Sequence, residues 1–87
     1  MENGRRHIPN SLRLHRKKMR YSQKQVATFL GLHMAQISHW ENGLKVPSGL
    51  NLIKLSVIYG THPGEFYIEH YQEFREQLNA KRWEIFT

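Results

Sequence analysis

Between residues 22 and 31 the chain reads SQKQVATFLG, and its apolar positions fall with a helical period. Val26, Ala27, Phe29 and Leu30 cover one arc of the wheel, while Lys24, Gln25 and Thr28 face away. Ser22 and Gln25 form an S-x-x-Q capping box at its start, and Gly31 ends it in a left-handed conformation. Upstream, Leu12 and the stem of Arg16 share a face of a first helix that opens after Pro9, with Asn10 or Ser11 as its cap. Downstream, a third helix runs from His33 to Glu41 and stops at Asn42-Gly43. Ser48 caps a fourth, whose Leu52, Ile53, Leu55 and Tyr59 are expected in the core and which Gly60 closes. Pro63, in the favoured first position, opens a fifth. There Phe66, Tyr67, His70, Tyr71, Phe74 and Leu78 form a stripe that carries the helix to about residue 80. No segment alternates with the strand period before the last few residues, so the fold class is all-α.

The end of the third helix, QISHWENG, departs from an ordinary amphipathic pattern. Ile37 and Trp40 are spaced to face the core, yet Glu41 lies four residues after Ile37, on the side that those two bury. Either a carboxylate is buried there with a partner or the helix frays early.

Composition narrows the class of function. A chain of 87 residues forms one small domain with little room for a catalytic cleft. It has no cysteine, which excludes disulfides and thiolate metal sites and fits a reducing cytoplasm. No apolar stretch reaches the ~18 residues of a membrane span, and the start carries no secretory signal pattern. The net charge of +6 is unevenly spread. Residues 1–24 hold eight basic side chains against one glutamate, whereas residues 65–87 hold three against five. The basic end is either a polyanion-binding surface or simply a solvated helix face.

Two short helices joined by one or two residues around Gly31 form a helix-turn-helix signature. Taken with Leu12, Arg16, Ser22-Gln23, Val26-Ala27, Ile37, Trp40-Glu41, Gly43, Pro47, Leu52, Leu55 and Tyr59, residues 10–67 resemble the Cro and phage-repressor family, also called XRE-type. The resemblance implies a five-helix, lambda-repressor-like DNA-binding domain. Residues 1–9 then form a basic N-terminal arm and residues 68–87 a helical extension suited to dimerisation. It also implies a partner for Glu41: an arginine at the position of Arg16 pairs with the glutamate that ends the third helix. The alternative is that both are surface residues of little energetic weight.

In such a domain the third helix enters the major groove with its N-terminal half leading. The base-reading candidates are Met34, Ala35, Gln36 and His39. Gln36 suits adenine, His39 a base or phosphate, and Met34 and Ala35 thymine methyls, which predicts T- or A-containing half-sites. Met34 has the alternative of packing on the second helix. Gln23, at a helix start, and Asn42, Lys45 and Ser48, on the loop and the next helix start, are the phosphate candidates. Arg5 and Arg6 are either an arm along the duplex or plain disorder. Three positions depart from the family pattern: His33 stands where Ser or Thr is usual as a cap, Arg20 where Gly is usual, and His15 where Leu is common.

Competing readings find less support. No carboxylate pair, phosphate-cradling glycine loop or triad points to an enzyme, and no cofactor is expected. His33 and His39 are six residues apart and His62 and His70 eight, which does not place two metal ligands on one helix face, so no metal is expected. The rival with more substance is a protein-binding module of antitoxin or adaptor type. It would use the aromatic C-terminal segment, where Phe66, Tyr67, Tyr71, Phe74, Trp83, Ile85 and Phe86 exceed what one core needs. The same surplus suits a homodimer, whose recognition helices about 34 Å apart would meet successive major grooves.

Overall fold

A computed structural model describes residues 7–86. Among the described residues six helices follow one another: α1 (Leu12–Lys18), α2 (Gln23–Leu30), α3 (Met34–Glu41), α4 (Gly49–Tyr59), α5 (Pro63–Phe66) and α6 (Ile68–Phe86). The first five enclose one core, to which each contributes: Leu12, Val26 with Ala27, Ile37 with Trp40, Leu55 with Tyr59, and Phe66. Phe66 is fully enclosed and meets the edge of Tyr59 at a centroid distance of 5.8 Å.

The helix ends follow local chemistry. Ser22 Oγ accepts from the Gln25 amide at 3.0 Å, and Gln25 Oε1 accepts from the Ser22 amide at 2.8 Å, which completes the capping box. Gly31 adopts φ +68°, so the chain turns left-handed into α3 without a Cβ penalty. Ser48 Oγ caps α4 through the Asn51 amide. At the start of α1 both expected residues are used, for different ends. Asn10 Oδ1 accepts from the Leu12 amide, whereas Ser11 donates through its amide and hydroxyl to the carbonyls of Phe66 and Glu65. Ser11 thereby fastens α5 to the beginning of α1.

Several expectations need correction. Ile53 is 55% exposed rather than in the core, because it lies about 160° round α4 from Leu55. Phe29, at the edge of the apolar arc of α2, is likewise exposed, and its ring meets that of Tyr21 edge to face. The stripe from Phe66 to Leu78 does not run on one helix: Tyr67 leaves helical geometry at φ −128° and ψ 49°, and α5 and α6 separate there. The second of them runs on to Phe86, past the expected end near residue 80. None of its described side chains is buried.

The positions unusual for the family each have a physical consequence. Arg20 sits at φ +61° in the turn from α1 to α2, the only described non-glycine residue with positive φ. His15 faces Phe66 edge-on at 5.4 Å, and burial, with Lys18 nearby, lowers the pKa of its imidazole despite the opposing charge of Glu65. At His33, where the usual cap is missing, Gln36 Oε1 accepts from the His33 amide at 3.3 Å.

Candidate nucleic-acid interface

The carboxylate that ends α3 is buried with a partner. Glu41 Oε2 accepts from Arg16 Nε at 2.6 Å and Oε1 from Arg16 Nη2 at 3.1 Å, a two-pronged pair in which the side chains are 1% and 10% exposed. Two more donors reach Oε1: Gln23 Nε2 at 3.0 Å and Arg13 Nε at 3.3 Å. Burial alone would push the Glu41 carboxyl up. The hydrogen bonds from Arg16 and Gln23, the Arg16 charge and the Arg13 bond outweigh it and hold the group below the usual glutamate range. The same bonds raise Arg16, against its own desolvation. Tyr59 is raised by burial, with the Glu41 charge adding to it.

Arg16 also donates through Nη1 to the Tyr21 carbonyl at 2.8 Å, so one guanidinium joins α1, the α1–α2 turn and the end of α3. The last carbonyls of α3 are held as well. Asn10 Nδ2 donates to Trp40 O at 3.1 Å and approaches Glu41 O at 3.4 Å. Ile8 then lies against the loop beyond, its amide on the Gly43 carbonyl at 2.9 Å. Gly43, at φ +75°, has no room for a side chain: a Cβ would stand 2.5 Å from the Ile8 carbonyl oxygen.

With Ile37, Trp40 and Glu41 turned inward, α3 turns Met34, Ala35, Gln36 and His39 to the exterior. Met34 is 51% exposed. All four base-reading candidates are thus exposed, Ala35 and His39 opposite the anchored side and Met34 and Gln36 on its flanks. Gln36 is engaged at the helix start with the His33 amide.

Of the phosphate candidates, Gln23 and Asn42 bond to side chains of the same helix. Gln23 is half-buried and spends one side-chain N–H on Glu41, which leaves its second N–H and the backbone amides at the start of α2 as donors toward an anion. Asn42 is exposed but also engaged: Oδ1 accepts from Arg13 Nη2 at 2.8 Å, and Nδ2 donates to Ser38 Oγ at 3.2 Å. Lys45 is exposed on the loop after Gly43. Ser48 accepts as a cap and keeps its hydroxyl proton for a further acceptor. Arg5 and Arg6 lie outside the described residues. Sequence reasoning passed over Arg13, Ser38 and the second role of Asn10. Only for Arg13 was there a signal, its i, i+3 spacing from Arg16 on α1.

A helix-turn-helix family model matches residues 12–66, the span from the start of α1 to the end of α5. The chain belongs to the XRE-type helix-turn-helix family. It is a DNA-binding transcription regulator. Comparison with curated proteins gave no match, nor did comparison with solved structures. No described helix is long and apolar enough to cross a membrane, and no group of three or more described His, Asp or Glu residues is placed to hold a metal ion.

Proposed function

We propose that this regulator reads double-stranded DNA in a sequence-specific way by laying α3 in the major groove, and that it acts as a repressor by occupying its site. The observation that carries this reading is the two-sidedness of α3. Ile37, Trp40 and Glu41 lock one side to the core, while Met34, Ala35, Gln36 and His39 are exposed on the rest of its surface. A rigid helix with accessible amide, imidazole and apolar groups meets the requirement for reading base edges. Gln36 would leave the His33 amide to present its amide group to an adenine, while Met34 and Ala35 take thymine methyls. The amides at Gln23, and Asn42, Lys45 and Ser48, would fix the register through phosphates, with Arg5 and Arg6 as an added arm.

The regulator is proposed to act as a homodimer joined through α6, so that two copies of α3 meet half-sites one helical turn apart. What supports this is the helix itself. It is 19 residues long, buries no side chain against its own domain, and exposes Tyr71, Phe74 and Leu78 along one stripe. Most helical stability in proteins comes from packing an apolar face, and a second copy laid along this stripe would supply that packing. The same stripe favours a second reading, in which α6 docks on a different protein and the chain works as an antitoxin or adaptor.

Selection of bound duplexes from a random DNA library, followed by affinity measurements against salt, tests the proposal. A two-fold symmetric consensus containing T and A, with a steep salt slope, is the expected result. Weak binding without a consensus would overturn it and favour the protein-binding role of α6.

A further inference from the structure

Among the groups around Glu41, Arg13 is the one the carboxylate does not need. Arg16 already engages both oxygens, and Gln23 adds a third bond. The Arg13 contact is the longest of the four, at 3.3 Å, and its side chain is 48% exposed where that of Arg16 is 10%. Two guanidiniums on one carboxylate leave a surplus positive charge, and the exposed member carries it to the surface.

The surface it reaches is the flank of α3. Arg13 Nη2 donates to Asn42 Oδ1, and Asn42 Nδ2 donates in turn to Ser38 Oγ, so the chain of bonds runs from α1 along the side of the recognition helix. Asn42 has therefore spent one proton of its amide on Ser38, and its oxygen on Arg13. Ser38 accepts from Asn42, which leaves its hydroxyl proton to be donated elsewhere. The group best suited to an anion on this flank is then the guanidinium, which keeps unspent N–H donors in a planar fork.

We propose that Arg13 is a phosphate-binding residue of the DNA interface, held in place beside the recognition helix by Glu41 and Asn42 until a duplex arrives. The inference rests on the groove-reading role of α3 proposed above. A DNA phosphate meets the free donors of the fork, and the weak bond to Glu41 lengthens without disturbing the Arg16 pair beneath it. Arg13 thus adds binding strength common to all sequences, while the choice of sequence stays with the outer face of α3.

The test compares the whole chain with Arg13→Gln and Arg13→Lys on a duplex selected by the wild type and on an unrelated duplex. Affinity is followed across salt, and thermal denaturation is recorded for each protein. Loss of one phosphate contact should lower the slope of log affinity against log salt by about 0.9 in Arg13→Gln. It should weaken both duplexes by a similar factor, and Arg13→Lys should keep most of the slope. An unchanged slope in a folded Arg13→Gln variant, whatever its melting temperature, would overturn the proposal and leave Arg13 a support for Glu41 alone. Should the wild type itself show no salt-dependent binding to any duplex, the reading of α3 fails and this inference with it.

Discussion

At the residue scale the domain turns on one buried ion pair. Taking a carboxylate and a guanidinium out of water costs several kcal/mol for each, and a lone survivor bears that cost without compensation. Glu41→Gln keeps the shape and one acceptor oxygen but leaves Arg16 charged and under-partnered. It should lower stability by about 3 kcal/mol, as judged by the urea midpoint. The pair also sets an acid limit. Because the folded Glu41 carboxyl lies below its ordinary value of about 4.3, its stabilisation is complete above that pH and disappears as pH falls through the folded value. Denaturation midpoints followed from pH 6 downward should therefore fall more steeply for the wild type than for Glu41→Gln.

At the scale of elements, the connections carry more of the strain than the helices do. The α1–α2 turn holds Arg20 in a left-handed conformation that disfavours any residue with a Cβ. Arg16 fixes that turn through the Tyr21 carbonyl, so the backbone cannot relax away from it. Arg20→Gly should raise stability by about 1 kcal/mol, seen as a higher melting temperature. The loop after α3 poses the opposite case. Gly43→Ala combines positive φ with a Cβ that meets the Ile8 backbone, and the chain must move to admit it. A loss of about 2 kcal/mol or more is expected from calorimetry. DNA affinity should fall beyond the stability effect, since Ile8 and Asn10 both brace the end of α3.

At the scale of the whole molecule, a packed domain of five helices carries a sixth that is about 28 Å long and has no buried side chain among its described residues. In the dimer proposed above, the α6 stripe meets a copy of itself. A triple variant, Tyr71→Ser, Phe74→Ser and Leu78→Ser, separates its role from folding of the domain. Sedimentation should show a dimer for the wild type and a monomer for the variant, with the main melting transition little changed. A wild type that sediments as a monomer at every concentration tested would end the dimer proposal.

How much was legible beforehand follows from how far apart the interacting groups lie in the chain. Helix limits are local: the Ser22 and Gln25 box, Gly31, Ser48 and Pro63 act on their own few residues, and their sequence signals correspond to helix ends. The inward and outward sides of α3 followed from the period of Ile37, Trp40 and Glu41. The partner of Glu41 came by resemblance, for nothing local joins positions 16 and 41. The period misled at Ile53 and along α6, because hydrophobicity shows which residues would gain from burial, not whether a neighbour is there to bury them. Tertiary structure alone decided that Arg13, Gln23 and Arg16 converge on one carboxylate and that Asn10 closes α3 from the other end of the chain. Those bonds join groups that packing brings together across 18 to 30 residues of sequence, a distance over which no periodic pattern extends.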